Sequence, residues 1–270
     1  RLVSDALGQR APEQEPGPLL AADADLAPGA EDVLEELPPP AEVSADVLFY
    51  APMDRSVHAA AAGGRRHALR VSRRPGFAEG HRGQAALLGE DSDGRYWVDY
   101  AGEGNIDYDG GTISMWVKPV GWSGADPGFR FFFIVRDPDR IRFYLYRFTT
   151  GGLTAIAGNG VNGEWAHISH DIADWQDGEW KHLAMTWTRS TLTLYVDGEL
   201  IAERNIPEEY RFRASAPYFS IGQSQDWDTE PIPPAQTAID EVVIFNRPLN
   251  ADEIQEEPGQ RRLLQGPLFG

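Results

Sequence analysis

Two runs of alternating large and small or polar side chains, Trp180 to Thr188 and Thr191 to Val196, lead directly into the dipeptide Asp197-Gly198. Side chains that alternate with period two belong to strands with one face buried. An Asp-Gly pair between apolar runs is a strong signal for a two-residue hairpin turn, because both turn positions require positive φ. This stretch therefore predicts strand, strand and tight turn, and a strand pair of that kind is stable only as part of a larger sheet.

The remainder of the chain supplies that sheet. From Val47 onwards short aromatic and β-branched runs recur, separated by Gly, Pro, Asp and Asn: Val47 to Tyr50, Arg95 to Val98, Thr112 to Val117, Phe131 to Val135, Ile141 to Phe148, Trp165 to Ile172, Tyr218 to Ile221 and Ala238 to Phe245. Ten or more such runs with turn signals between them predict an all-β sandwich or jelly roll. A single helix is expected after Pro248, with Asn250 as N-cap and Glu253 completing a capping box.

Residues 1–46 have a different composition. They hold eleven acidic residues against Arg1 and Arg10, a net charge of −9, together with the run Pro38-Pro39-Pro40 and no aromatic residue. Such a segment buries too little apolar surface to order itself. It is expected to be either a linker or stalk dispensable for folding, or an arm that orders on a neighbouring copy through Leu19, Leu20, Val33, Leu34 and Leu37, giving a homo-oligomer. Residues 257–270 form an apolar tail beyond Arg261 and Arg262.

The formal charge of the whole chain is −18. Phosphate backbones select basic surfaces, so nucleic acid is excluded as a partner, and an anionic membrane surface is disfavoured for the same reason. No apolar run approaches the ~18 residues that span a bilayer. With no cysteine, disulfides, thiolate metal sites and cysteine nucleophiles are impossible.

Several motifs occur in a telling order. Phe49-Tyr50-Ala51-Pro52-Met53-Asp54 opens the β region; Gly111-Thr112-Ile113-Ser114-Met115-Trp116-Val117-Lys118-Pro119 follows; then come Trp180-x-His182-x-Ala184-x-Thr186-Trp187, Leu194-Tyr195-Val196-Asp197-Gly198, Ser220-Ile221-Gly222 and Ile239-Asp240-Glu241-Val242-x-Ile244-Phe245-Asn246-Arg247. This path resembles the laminin-G-like, concanavalin A-like jelly rolls across residues 47–256. The resemblance implies two antiparallel sheets and a short helix after the last strand. It further implies a structural Ca2+ between Asp54 and Asp240, and a place outside the cell or in its envelope, recognising carbohydrate or protein. Asp91 and Asp93 could add a ligand, although spaced acids before Gly94 also suit an ordinary turn.

Three tryptophans lie in turn-like contexts: Trp122 between Gly121 and Ser123, Trp175 between Asp174 and Gln176, and Trp227 between Asp226 and Asp228. Aromatic rings flanked by polar groups suit the apolar faces and hydroxyl rims of sugars. These three are the candidate ligand platforms, or else lids over the sandwich rim. Trp97, Trp116, Trp165, Trp180 and Trp187 fall on strands and are expected in the core, as is His182 with a hydrogen-bond partner. His167 and His170 are three residues apart on a strand and so face opposite ways, which rules them out as joint metal ligands.

Catalytic signatures are lacking. Retaining glycosidases need two carboxyls ~5 Å apart, and no E-x-D-x-E alternation occurs. Tyr218-Phe219-Ser220-Ile221-Gly222 is similar to a strand of alginate-lyase jelly rolls, but Ser220 stands where they carry a lysine. The expectation is a non-catalytic recognition module; the alternatives are a structural subunit assembled through residues 1–46 and, third, a polysaccharide lyase.

Overall fold

A computed structural model describes residues 37–137, 141–148, 151–159, 165–213, 215–222 and 234–256. The greater part of the acidic arm, Trp227 and the tail from residue 257 lie outside the described residues.

Among the described residues seventeen strands and one short α-helix follow in order, with a 3-10 turn at Glu208–Tyr210: β1 Val47–Ala51, β2 Ala61–Ala62, β3 Arg70–Val71, β4 Gly76–Glu79, β5 Gln84–Asp91, β6 Gly94–Tyr96, β7 Val98–Ala101, β8 Gly110–Val120, β9 Arg130–Asp137, β10 Ile141–Arg147, β11 Gly152–Gly158, β12 Ala166–Asp171, β13 Lys181–Thr188, β14 Thr191–Val196, β15 Glu199–Asn205, β16 Tyr218–Ile221, β17 Gln236–Phe245 and α1 Ala251–Gln255. They form two antiparallel sheets. The larger has ten strands, with the path β15-β14-β13-β8-β17-β1-β2 and β4, β5 and β6 joined through β17; the smaller has seven, ordered β12-β11-β10-β9-β16-β7-β3.

Strand alternation explains how the sheets face one another. On β8, Ile113, Met115 and Val117 belong to the main core cluster, as do Leu183 and Met185 on β13. Phe133 and Phe143 of the smaller sheet pack edge to face, and across the core Phe143 meets Trp187 in the same way. The Asp197-Gly198 turn has φ of 50° and 79°, the double positive-φ geometry that its dipeptide predicts.

The intervening residues of β8 and β13 point outward, where part of the larger sheet is covered. Ala184, Tyr195, Val243 and Phe245 pack against Leu249 and Ile254, so that α1 lies over this end of the sheet. The capping box forms as expected: Asn250 accepts from the Glu253 backbone N–H, and Glu253 from that of Asn250.

The described residues just before β1 are tied to the same region. The Asp46 carboxylate pairs with Arg247 at 2.9 Å, and Arg247 pairs with Glu253 at 2.8 Å. Val43 packs partly buried against the cluster under α1, and Arg66 donates to the Pro38 carbonyl. The chain thus engages the sandwich before residue 47.

Candidate functional site

The expected metal pair converges on one turn. Asp54 follows β1, Asp240 lies in β17, and the two strands are adjacent. Between β4 and β5, residues Gly80 to Gly83 form a tight turn that closes with Gly80 N–H donating to the Gly83 carbonyl. Asp240 Oδ2 accepts from the Arg82 N–H at 2.9 Å, and Asp54 Oδ1 accepts from the Gln84 N–H. Glycine is needed at both ends of the turn. A Cβ at Gly80 would stand 2.7 Å from Asp240 Oδ2, and one at Gly83, where φ is +53°, would collide with the Asp54 carboxylate.

Backbone strain gathers at this point. Four non-glycine residues among those described have positive φ, and three are Met53, Arg55 and Glu241, which flank the two aspartates. Glu241 is the extra residue of a β-bulge: Asp240 opposes Trp116 and Val243 opposes Ser114, leaving Glu241 and Val242 across from Met115 alone. The bulge turns both Asp240 and Glu241 into a buried polar cluster. Strained conformations persist where surrounding structure enforces them, and they concentrate at functional sites.

The electrostatics of the cluster are those of crowded acids. Burial lifts the Asp240 carboxyl to about 6, with the Asp54 charge adding to the rise, against hydrogen bonds from Arg82 and Glu241. Burial, and then the Asp240 charge, lifts Glu241 to about 7. Tyr50 donates its hydroxyl to Glu241 at 3.1 Å and is itself held well above the usual phenol range by burial and by that carboxylate. Among the described residues no set of three or more His, Cys, Asp or Glu side chains converges as a metal cage. A cation between Asp54 and Asp240 would draw its other ligands from backbone carbonyls and water.

The turn that serves the aspartates also carries a ring cluster. His81 stacks on Trp116 with centroids 3.6 Å apart and planes 11° apart, and meets Trp180 edge-on at 6.0 Å. Lys118 places its Nζ 4.7 Å from the centre of the Trp180 ring and donates to the Glu79 carbonyl. Beneath Trp116, His182 is buried with Nε2 2.8 Å from Ser114 Oγ, as expected of a hydrogen-bonded core histidine. Burial depresses its imidazole to about 4, so it is neutral at physiological pH.

Of the two roles expected for the turn tryptophans, ligand platform or lid over the rim, the described pair takes the second. Trp122 and Trp175 are each 3% exposed and belong to the main core. They tuck under the rim: Trp122 Nε1 donates to the Gln236 carbonyl at 2.9 Å, and the Trp175 carbonyl accepts from Gly124 N–H. The guanidinium groups of Arg130 and Arg147 lie 5.9 and 5.7 Å from the Trp122 ring. A turn context sets backbone geometry, and these indoles fold back to close the open end of the sandwich. Trp227 lies outside the described residues. Of the strand tryptophans only Trp187 is fully buried, whereas Trp97, Trp116, Trp165 and Trp180 are half-buried. The period-two pattern that sends Met115 and Val117 inward sends Trp116 outward, which apolarity alone conceals.

A profile of the laminin-G group, described as the concanavalin A-like lectin/glucanases superfamily, matches residues 83–255. The chain belongs to this superfamily. Its fold is also that of botulinum neurotoxin binding domains. The binding domain of neurotoxin DC in complex with rat synaptotagmin II aligns with a TM-score of 0.62 at 16% identity, over 77% of this chain and 50% of that one. The same domain in complex with SialylT gives 0.61 at 15% identity, covering 78% and 50%. The receptor binding domain of type G gives 0.59 at 16% identity, covering 78% and 50%. The chain spans about half the length of these structures, and the likeness establishes the fold. No curated protein matches the chain.

Proposed function

We propose that this superfamily member is a non-catalytic recognition module of the cell exterior or envelope, binding carbohydrate or protein, with a structural Ca2+ held by Asp54 and Asp240. The observation that carries the recognition reading is the half-exposed shelf of His81, Trp116 and Trp180 on the outer face of the larger sheet, with Lys118 on its rim. Amphipathic rings beside polar groups are what sugar and protein ligands require of a binding surface. Neighbours of the same fold bind a protein in one complex and SialylT in another, which supports the same class of activity here. Among the described residues no helix is long and apolar enough to cross a membrane.

The residues at the turn suit a hard cation. Asp240 accepts backbone N–H groups of Arg82, Glu241 and His81, and the exposed Asp54 carboxylate faces the same turn. A bound cation would offset the burial cost that now raises the Asp240 and Glu241 carboxyls. The test of the metal is thermal unfolding with and without Ca2+: a ligand at ~100 times its Kd stabilises the fold by about 2.7 kcal/mol. The rise in Tm should vanish with EDTA and in Asp54→Ala; an unchanged melting curve removes the metal from the proposal. The test of recognition is binding of the purified chain to arrayed glycans and surface proteins. Trp180→Ala should lose the partner that the parent chain captures while keeping its fold.

A further inference from the structure

Resting on that recognition reading, we infer that the shelf binds a saccharide carrying a carboxylate, with Lys118 as the group that receives the acid. The chain contains only two lysines, Lys118 and Lys181, within a formal charge of −18. They stand beside each other at one end of β8 and β13, where Lys181 pairs with Val117 and His182 with Trp116. Their circumstances differ. Lys181 is neutralised twice, by Glu179 at 2.8 Å and by Asp197 at 3.4 Å. Lys118 makes no ion pair among the described residues; its ammonium rests over the Trp180 indole and donates to one backbone carbonyl, that of Glu79.

An ammonium has three donors, so two remain for a ligand. Acidic side chains are plentiful in this chain, yet none of those described answers Lys118. Cation–π contact holds the charge in place without cancelling it, because the indole contributes a quadrupole and no net charge. Among the described residues the arrangement is therefore a cation at the rim of a ring cluster with no ion-pair partner.

The rings define what the rest of the ligand must be. His81 has one face on Trp116, and its other face is directed away from it. Trp180 stands nearly perpendicular at 73°, giving a shelf with a wall. A pyranose ring offers an apolar C–H face to such a surface, and a uronic acid adds a carboxylate at its edge. This combination matches aromatic rings with an adjacent ammonium better than a neutral sugar does, since a neutral sugar would leave Lys118 uncompensated. Long-range repulsion between an acidic ligand and this acidic chain is limited by screening, with a Debye length of ~8 Å at physiological salt. Half of the formal charge also lies in residues 1–46.

The experiment is calorimetric titration of the full chain in 150 mM NaCl with tetramers of galacturonate, mannuronate and hyaluronan, each beside its carboxyl-reduced neutral counterpart. At least one acidic tetramer should bind roughly tenfold or more tightly than its reduced form. That preference should disappear in Lys118→Gln, and both forms should lose affinity in Trp180→Ala, with circular dichroism and Tm confirming that each variant is folded. Equal affinity for acidic and reduced tetramers, or a preference that survives Lys118→Gln, overturns the inference while leaving sugar recognition in place. Failure of every tetramer to bind overturns it too, and recognition then stands or falls on the protein array.

Discussion

Asp54 and Asp240 accept hydrogen bonds from backbone N–H groups two residues apart on a single turn, those of Gln84 and Arg82. The closing segment of the domain is thereby joined to its opening segment through a loop that belongs to neither. The same turn presents His81 to Trp116. The acidic cluster and the ring shelf thus share one turn.

The acidic cluster dictates how stability responds to pH. Asp240 and Glu241 are raised in the folded protein to about 6 and about 7, above their ordinary values. The folded state therefore holds protons that the unfolded chain has released. The stabilisation is complete below about pH 4 and is lost as pH rises through 6 and 7. In EDTA, urea unfolding should show a loss of about 1–3 kcal/mol between pH 5 and pH 8. Glu241→Gln, which keeps an acceptor for Tyr50, should flatten much of that slope. Stability that climbs with pH over this range would show the cluster to be ionised without cost.

Calcium should reverse the trend. A cation prefers the ionised carboxylates and competes with protons for them. The Ca2+-induced rise in Tm should therefore be small at pH 5 and grow towards pH 8, tracking the titration of Asp240. A shift of equal size at both pH values would place the ion elsewhere.

The placement of the tryptophans gives opposite expectations for truncation. Trp122→Ala and Trp175→Ala each empty a buried indole site and should cost about 3–5 kcal/mol. Trp180→Ala removes a half-exposed ring and should cost under about 1.5 kcal/mol, its main effect falling on binding. Denaturant midpoints of the three variants decide the matter. Trp122→Ala as stable as the parent chain would contradict its place in the core.

Arg147 holds the loop beneath Trp122. Its guanidinium, 1% exposed, donates to the carbonyls of Gly124, Asp126 and Gly128, and burial lowers it to about 10. Arg147→Met leaves three acceptors without their donor, so it should cost at least about 2 kcal/mol. The loss should be accompanied by a red-shifted emission from Trp122 as the loop opens. Retained stability with unchanged fluorescence would show that water replaces the guanidinium freely.

How far the sequence reveals these features depends on their range. The hairpin at Asp197-Gly198 and the capping box at Asn250 and Glu253 are local, and the residues that make them lie within a few positions of one another. The meeting of Asp54 with Asp240 was legible only through resemblance, because no local pattern links the two. The Asp240-Glu241 bulge has no local signature: strict alternation puts these acids on opposite faces, and one inserted residue cancels that rule. The shelf was concealed for a similar reason. Trp116 and Trp180 read as core by hydrophobicity, and only the register of β8 against β13 shows that they share the outer face with Lys118.

The boundary of the folded unit follows from Asp46. Sequence composition assigns residues 1–46 to an arm dispensable for folding, yet Asp46 lies in a charge network with Arg247 and Glu253, and its carbonyl accepts from Asn246 N–H. Arg247 is about a third exposed, and exposed pairs contribute little singly, but this one also fixes the entry of β1 beside the start of α1. Removing residues 1–36 should leave Tm almost unchanged. Removing residues 1–46 also strips Val43 from the cluster under α1 and should lower Tm by several degrees, equivalent to about 1–2 kcal/mol. Asp46→Ala in the chain that begins at residue 37 should reproduce part of that loss. Scanning calorimetry of the three proteins separates the outcomes: equal melting temperatures would return residues 37–46 to the arm.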